Sequence, residues 1–363
     1  MKIVIDLRIF GLESGGLGRY NQKLFENLIV LDDRNNQYIL LFKEKPDDLP
    51  PLPDNFKIKV CNCHWYTLKE QIILPFVLSK LKPDLVHFTH FNVPLFYKGK
   101  FIVTIHDLIM SRFPSRGAST LNRVLFFLKY RLYNQIIKHA VKKSIKIIAV
   151  SKFTAQDIKD YFKLSEQEAK KIKVIYEGVT IPQATETKID LLERFFLYIG
   201  NAYPHKNLKF LIKAFQEFLK KHPDFYLILV GNKDYFYQRL IKKISNKNII
   251  FTGFVPDNQL SNYYQQATAY IFPSLYEGLG LPPLEAMAYN LPVLSSKAAS
   301  LPEVLGQAAL YFDPGDERDL LNKMELIVDD QNLRDKLKSA GQEQIKKYSW
   351  QKMAQKIIEF YRK

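Results

Sequence analysis

The sequence predicts an α/β protein of two doubly wound, Rossmann-like domains that face a central cleft. Short β-branched apolar runs alternate with amphipathic helical patterns, which is typical of parallel βαβ units. The alternation relaxes once, in a polar segment at residues 180–190, and then begins again. The length of 363 residues also suits two domains better than one.

The first series combines apolar runs, which predict buried strands, with segments of helical periodicity. The predicted strands are Ile3–Asp6, Tyr38–Phe42, Leu85–Phe88, Ile102–Ile105 and Ile147–Val150, and the pattern relaxes after Val174–Tyr176. The predicted helices are Arg19–Leu31, Leu68–Leu81, Asn122–Lys143 and Thr154–Phe162.

The second series repeats this pattern. Its predicted strands are Phe196–Gly200, Tyr226–Val230, Ile249–Phe251, Ala269–Phe272, Pro292–Ser295 and Ala309–Phe312. Its predicted helices are Asn207–Lys220, Asp257–Gln266, Pro283–Tyr289, Glu317–Val328 and Leu333–Lys347, and a last amphipathic helix follows Ser349. We therefore predict a first domain at 1–182, a second at 191–347 and a closing helix at 348–363 that returns to the first domain.

Composition favours a protein that stays inside the cell. The two cysteines, Cys61 and Cys63, are too few and too close in sequence to stabilise a chain of this size by a disulfide bond, so reduced thiols are expected. Asp6 and Arg8 interrupt the N-terminal apolar run, which makes a signal peptide improbable. Since no apolar stretch reaches the roughly 18 residues of a membrane span, we expect a cytoplasmic location.

The charge indicates a polyanionic partner. The formal net charge is +16 and the isoelectric point is about 9.4, which fits nucleic acid, an anionic membrane or phosphorylated ligands. Residues 115–146 contain no Asp or Glu and fit a helix with one apolar and one basic face. We expect this helix to lie on an anionic membrane, with Phe126, Phe127, Tyr130 and Tyr133 entering the interface. Its cations are Arg116, Arg123, Lys129, Arg131, Lys138, Lys142, Lys143 and Lys146.

The strongest motif is Tyr276–Ala286, which follows a predicted strand and opens a helix near Pro283. Gly278 and Gly280 leave backbone amides uncovered before the helix, an arrangement that attracts phosphate. Glu277 precedes the helix and Glu285 is expected in its first turn. Carboxylates beside an anion site suit hydroxyl groups, one carboxylate for a sugar and one for a ribose. The alternative is a tight turn with a glutamate that favours the helix dipole.

Two further loops carry polar side chains after predicted strands. Lys206 follows a strand, a glycine and a short loop, where a cation can meet phosphate as a point charge, although it is also explicable as a surface lysine. His106 follows an apolar strand and precedes Asp107, so it is either a general base or a loop histidine with structural hydrogen bonds. His87 and His90 are packing or acceptor-side residues. The glycines around Gly16 lack dinucleotide-binding spacing and are weak evidence alone.

These segments together resemble glycosyltransferase family 4, the retaining enzymes with the GT-B fold. The Glu277–Glu285 pair around a Gly-x-Gly turn matches the family signature. The resemblance runs along the whole chain, and Leu85–Leu108 looks closest to mannosyltransferase-like members. The other matching segments are Gly15–Tyr20, Thr104–Leu108, Ile148–Lys152, Gly200–Asn207, Phe251–Val255 and Tyr348–Trp350.

The resemblance implies roles for individual residues. Glu277 would hold sugar hydroxyls of a nucleotide-sugar donor, Glu285 the ribose, and Lys206 the diphosphate. His106 would touch the transferred sugar, and Gly16 would let the backbone approach the diphosphate. Phe254 and Val255 would border the base, and the amides of Gly278, Leu279 and Gly280 would contact the sugar or the diphosphate. Asn201 and Leu281 are the remaining residues that the resemblance assigns to donor binding. Many members carry arginine where this chain has Asn201, so neutralisation would rest more on Lys206.

The reaction implied is transfer of a hexose, mannose or similar, from a GDP- or UDP-sugar to a glycan or lipid-linked acceptor. Neither an Asp-x-Asp motif nor another metal site is found in the sequence, so no metal or cofactor is expected. The alternatives are another GT-B enzyme such as a nucleotide-sugar epimerase, a non-catalytic sugar-binding module and a basic nucleic-acid-binding protein. No recognised nucleic-acid-binding motif supports the last, so no nucleic-acid partner is expected.

Overall fold

The computed structural model describes residues 1–11, 15–32, 34–114, 123–180, 192 and 194–362, and their side chains apart from residues 123, 124 and 257. The chain divides into two compact units. Unit 1 comprises Met1–Leu108, Arg123–Gly178 and Trp350–Lys363, and unit 2 comprises Ile109–Asn122 and Val179–Ser349. Most of the predicted polar segment, residues 181–190, lies outside the described residues.

Unit 1 is a parallel sheet covered by helices. Its strands are β1 (Lys2–Asp6), β2 (Gln37–Phe42), β3 (Phe56–Val60), β4 (Leu85–Phe88), β5 (Phe101–Ile105), β6 (Lys146–Ala149) and β7 (Ile172–Val174). Its helices are α1 (Gly15–Leu31), α2 (Leu68–Leu81), α4 (Arg123–Lys143), α5 (Lys152–Tyr161), α6 (Glu166–Ala169) and α14 (Trp350–Arg362); α3 (Ile109–Arg112) belongs to unit 2.

The strand order in unit 1, for the part of the chain that is described, is β3-β2-β1-β4-β5-β6-β7. All neighbouring pairs are parallel. The order reverses between β1 and β4, and ligands of such sheets bind beyond the carboxyl ends of strands at this point. Buried side chains of α2, α4 and α5, including Leu74, Ile137 and Ile158, form one apolar core with the sheet. Helix α14 packs against α1.

Unit 2 has the same architecture. Its strands are β8 (Phe195–Ile199), β9 (Tyr226–Val230), β10 (Ile249–Gly253), β11 (Ala269–Phe272), β12 (Val293–Ser296) and β13 (Ala309–Phe312). Its remaining helices are α7 (Leu208–Phe218), α8 (Tyr235–Ile241), α9 (Asp257–Gln266), α10 (Leu281–Ala288), α11 (Leu301–Leu305), α12 (Glu317–Asp329) and α13 (Gln331–Ile345), with a 3-10 turn at Pro204–Lys206.

The second sheet, within the described residues, has the order β10-β9-β8-β11-β12-β13 and is parallel throughout. Its order reverses between β8 and β11. The fold class predicted from the sequence is therefore confirmed, with two doubly wound parallel sheets. The strands β3 and β7 and the helices α3, α6, α8 and α11 were not among the predicted elements. Strand β3 lies at the sheet edge, where Lys57 and Lys59 point outward and remove the signature of a buried run.

Two sequence expectations concern thiols and the membrane. Cys61 and Cys63 are both buried free cysteines with their sulfur atoms 3.3 Å apart. In the described part of the chain, none of the helices combines the length and the hydropathy that crossing a membrane requires.

Candidate functional site

The reversal point of the second sheet carries the two loops that the sequence singled out. Strand β8 leads to Gly200 and the 3-10 turn that ends at Lys206, and β11 leads to the loop before α10. Because β8 and β11 are parallel neighbours, both loops leave from the same edge of the sheet. The backbone amide of Leu275 donates a hydrogen bond to the carbonyl of His205 at 2.7 Å, which ties the two loops together.

Lys206 and Glu277 form a nearly buried ion pair. Lys206 Nζ lies 2.6 Å from Glu277 Oε1, and the two side chains are 12% and 10% exposed. The ammonium group also lies 5.3 Å from the centroid of the Phe272 ring. The sequence placed both residues near one ligand but did not predict that they bind each other. A cation and a carboxylate held at this edge can meet a phosphate and a sugar hydroxyl.

Gly280 sets the geometry of the glycine loop. Its φ is +90°, and a Cβ there would lie 2.7 Å from Leu301 Cδ2, so a side chain would be both strained and crowded. The buried hydroxyl of Ser300 is 3.0 Å from the carbonyl of Glu277 and 3.1 Å from that of Leu279. Ser300 and Leu301, which sequence reasoning missed, therefore hold the loop in shape. They follow the neighbouring strand β12, and this position at the end of a predicted strand is the sequence feature that could have identified them.

Glu285 is not in the first turn of its helix, as the sequence analysis expected. Helix α10 begins at Leu281, two residues before the expected start at Pro283, so Glu285 is its fifth residue. Proline at the second position fits this earlier start. The hydroxyl of Tyr264 donates to Glu285 Oε2 at 3.4 Å, and Glu285 is half-buried. The structural alternative, in which Glu285 favours the helix dipole from the first turn, therefore does not apply.

Three further residues expected to bind the donor follow β8 and β10: Asn201 after β8, and the base-bordering Phe254 and Val255 after β10. Asn201 is exposed, and its carbonyl accepts a hydrogen bond from Tyr198 at 2.7 Å. Phe254 directly follows β10 and is 71% exposed, whereas Val255 is buried. Gly231, after β9, was missed by sequence reasoning: a Cβ there would lie 2.1 Å from the Gly200 carbonyl oxygen. An exposed aromatic ring beside this tightly packed edge can stack against a planar base.

His205 does not add positive charge beside Lys206. Burial lowers the pKa of His205, the neighbouring Lys206 cation lowers it further, and the result is about 4 despite the opposing charge of Glu277. The imidazole is therefore neutral at pH 7. Because Asn201 is neutral too, Lys206 carries the positive charge of this loop.

His106 has hydrogen-bond partners at both ring nitrogens. Nδ1 lies 2.8 Å from Glu177 Oε1, and Nε2 lies 3.0 Å from the carbonyl oxygen of Thr89. Burial acts to lower the pKa of His106, but the hydrogen bond and charge of Glu177 outweigh burial, and the pKa is raised. Since both nitrogens face acceptors, this arrangement leaves no ring lone pair for a general base. Glu177, which follows β7, was missed by sequence reasoning.

His87 and His90 are neutral histidines near His106. His87 is fully buried, between Tyr361 of α14 at 2.7 Å and Thr104 at 2.9 Å, as a packing residue would be. His90 Nε2 lies 3.0 Å from the hydroxyl of Tyr66. Burial and the charge of His106 lower both pKa values to about 3.

Gly16 belongs to the first turn of α1, and a Cβ there would meet no atom within 4 Å. Packing in the described residues therefore does not require glycine at this position. Residues 12–14, in the loop that leads to it, lie outside the described residues.

Two family models together match most of the chain. Residues 15–181 match the family described as "Glycosyltransferase Family 4", and residues 182–344 match "Glycosyl transferases group 1". O-antigen chain mannosyltransferase B of Escherichia coli is 25% identical over 391 residues, covering 100% of each chain. O-antigen chain mannosyltransferase RfbU of Salmonella typhimurium is 30% identical over 259 residues, covering 70% of this chain and 67% of RfbU.

Solved structures show the same architecture. Sucrose-phosphate synthase from Thermosynechococcus elongatus superposes with a TM-score of 0.77 at 18% identity, covering 100% of this chain and 98% of that one. WaaG, a glycosyltransferase involved in lipopolysaccharide biosynthesis, superposes with a TM-score of 0.73 at 15% identity, covering 98% of each chain. At these identities the likeness shows the fold, which is GT-B. The sequence matches and the fold agree that this chain is a glycosyltransferase and belongs to glycosyltransferase family 4.

Proposed function

We propose that the chain is a retaining hexosyltransferase that moves mannose or a similar hexose from a GDP- or UDP-sugar to a glycan or lipid-linked acceptor. The observation that carries this proposal is the Lys206–Glu277 pair beside the Gly280 loop. It offers a cation for a diphosphate and a carboxylate for sugar hydroxyls at one sheet edge. The similarity to O-antigen chain mannosyltransferases supports mannose.

In this proposal the donor binds along the carboxyl edge of β8, β10 and β11. Phe254 and Val255 border the base, Glu285 binds the ribose, and Glu277 binds sugar hydroxyls. Lys206 contacts the diphosphate. The backbone of residues 278–281 lies beside the sugar or the diphosphate, and Asn201 lies in the loop that follows β8. The ion pair then opens when a donor arrives, because each partner exchanges the other for a ligand group.

The proposed reaction requires the protein to stabilise the charges that develop as the donor bond breaks. Cleavage of the bond between sugar and diphosphate builds negative charge on phosphate oxygens and positive charge on the sugar ring. Lys206 stabilises the leaving diphosphate, which is the kind of contribution that often dominates catalysis. The acceptor hydroxyl attacks from the side that the diphosphate leaves, and its proton passes to a phosphate oxygen. This route needs positioning by the protein and no protein nucleophile.

A donor assay tests the proposal directly. The full-length protein is incubated with GDP-mannose, UDP-glucose, UDP-N-acetylglucosamine or ADP-glucose, and free nucleoside diphosphate and melting temperature are measured. A donor that binds the folded state raises the melting temperature by mass action, and we expect a GDP- or UDP-sugar to do so and to be turned over. A shift with release of the sugar as an epimer instead of its transfer would replace this proposal with an epimerase.

We expect transfer to be independent of divalent metal. Lys206 lies where the diphosphate charge would need a counter-charge, so the chain itself supplies a cation. Rates measured in excess EDTA should match those measured in buffer alone. Loss of activity in EDTA that manganese or magnesium restores would contradict this expectation.

We also propose that unit 1 lies on an anionic membrane surface through the first half of α4. There Leu125, Phe127 and Leu128 are about half exposed, and Lys129 and Arg131 are exposed beside them. This mixture of apolar and basic side chains fits a lipid interface. The second half of α4 behaves differently: Ile136, Ile137 and Val141 pack in the core.

The expectation that Tyr133 enters the interface was wrong, because Tyr133 is only 8% exposed and contacts the ring of Phe91. Phe126 and Tyr130 are partly buried, and Phe127 is exposed at 57%. Among the expected cations, Lys142 pairs with Glu168 at 2.8 Å and Lys146 donates to the carbonyl of Phe360. Arg116 and the side chain of Arg123 lie outside the described residues.

Liposome co-sedimentation checks this membrane proposal. The protein should pellet with phosphatidylglycerol vesicles at low salt, pellet less as salt screens the charges, and stay largely in the supernatant with neutral vesicles. Glutamate at Lys129, Arg131 and Lys138 should release it. The matched control is the same reversal at three exposed lysines elsewhere, Lys247, Lys336 and Lys356. Equal loss of binding in both variants, or equal binding to neutral vesicles, would favour a soluble acceptor.

A further inference from the structure

Glu177 is a buried carboxylate in the loop after β7, with a side chain only 6% exposed. Burial of an ionised carboxylate is costly unless a positive group or hydrogen-bond donors face it. Its Oε1 atom lies 2.8 Å from His106 Nδ1, and the two residues are 71 positions apart in the chain. The fold therefore brings this pair together across strands β5, β6 and β7.

The other ring nitrogen of His106 also faces an acceptor, which favours the protonated ring. Nε2 lies 3.0 Å from the carbonyl oxygen of Thr89, and a carbonyl oxygen can only accept. A carboxylate at Nδ1 and a carbonyl at Nε2 are both acceptors, so this geometry favours a ring that donates from both nitrogens, which is an imidazolium. The His106 side chain is 19% exposed, so it is not completely closed off from a ligand.

The neighbouring side chains determine the electrostatic surroundings of His106. Asp107 adds negative charge that favours the cation, and the Tyr20 ring packs edge-on with ring centroids 4.7 Å apart. His87 and His90 are neutral at pH 7, so they do not repel the cation. Burial acts to lower the pKa of His106, yet the hydrogen bond and charge of Glu177 raise it.

We propose that Glu177 is a positioning residue that holds His106 as a doubly hydrogen-bonded cation, so that His106 enters the transfer reaction with a fixed positive charge. His106 then acts in transfer without accepting a proton. This inference rests on the proposed sugar transfer and goes beyond it. It explains the charge of His106 by its hydrogen bond to Glu177, a residue outside the motifs that the sequence analysis singled out.

The variant that tests it is Glu177→Gln. The amide oxygen of glutamine can still accept from Nδ1, so the geometry is kept while the negative charge is lost. The imidazole of His106 is followed by NMR titration of the full chain, and kcat/KM is measured across pH with the donor found above. Asp107→Asn is the matched control, since it removes an adjacent charge without removing the Nδ1 acceptor.

In the wild type we expect His106 to titrate above the ordinary histidine value of about 6.5. In Glu177→Gln its pKa should fall by about one unit or more, and the alkaline limb of kcat/KM should move down with it. At about pH 8 the variant should lose roughly tenfold or more in kcat/KM, and near pH 5.5 most of the activity should return, since an imidazolium then persists without the carboxylate. Asp107→Asn should shift both quantities less.

Stability gives a second measure that needs no substrate. A raised folded-state pKa contributes stability that is complete below the unfolded value and is lost as pH rises through the folded value. The wild type should lose this contribution on the alkaline side, and Glu177→Gln should not. A pH-independent loss of activity in Glu177→Gln, with an unmoved His106 titration, would overturn the inference and leave sugar transfer standing. Absence of transfer with every donor would refute the proposed function while the titration still decides the charge state.

Discussion

Lys206→Met is expected to lower kcat for sugar transfer by about 10²–10³-fold, the loss typical of removing one preorganised group that stabilises developing charge. Methionine keeps much of the length and apolar character of the lysine stem but cannot meet the leaving diphosphate. Initial rates at saturating donor measure the effect. Lys213→Met is the control, because Lys213 lies on α7 in the same unit, is 67% exposed and pairs with Glu317.

The buried ion pair complicates a single substitution, since Lys206→Met leaves Glu277 without its partner. Removing one member of a buried pair can cost about 3–5 kcal/mol of stability. The double variant Lys206→Met with Glu277→Gln removes both charges and should recover much of that stability while staying inactive. Recovery of activity together with stability in the double variant would show that Lys206 serves folding and not the diphosphate.

The two glutamates are expected to separate nucleotide binding from turnover. Glu285→Ala should raise the Kd of the bare nucleoside diphosphate by about 10- to 150-fold, the equivalent of about 1.5–3 kcal/mol for a charge-assisted hydrogen bond. Glu277→Gln should leave that Kd unchanged or lower, because it frees Lys206 from the pair, while turnover falls. Isothermal titration with nucleotide and with nucleotide sugar gives both values.

A control glutamate is available in the same unit. Glu343 is 69% exposed and pairs with Lys346 one helical turn away, so Glu343→Ala should change neither binding nor turnover. Unchanged affinity for nucleotide and nucleotide sugar in both Glu285→Ala and Glu277→Gln would contradict the assignment of these residues to the donor.

Most strands and helices near the site could be predicted from local patterns. The strand Ala269–Phe272 and the helix Asp257–Gln266 have the predicted bounds, because a buried parallel strand and an amphipathic helix leave a periodic signal. The start of α10 was misplaced by two residues, since both Pro282 and Pro283 are compatible with a first turn. The misplaced start had put Glu285 in the first turn, where a favourable interaction with the helix dipole was the structural alternative to ribose binding.

Local sequence patterns were enough to predict the two doubly wound domains, the family and the loops that carry Lys206, Glu277 and His106. These features depend on periodicity and on short motifs, which are local in the chain. The partners of the charged side chains could not be predicted in this way: Lys206 pairs with Glu277 and His106 with Glu177, each across 71 residues. The physical reason is that parallel strands distant in sequence end at one edge of a sheet, where burial makes each charge require a partner that no local pattern encodes.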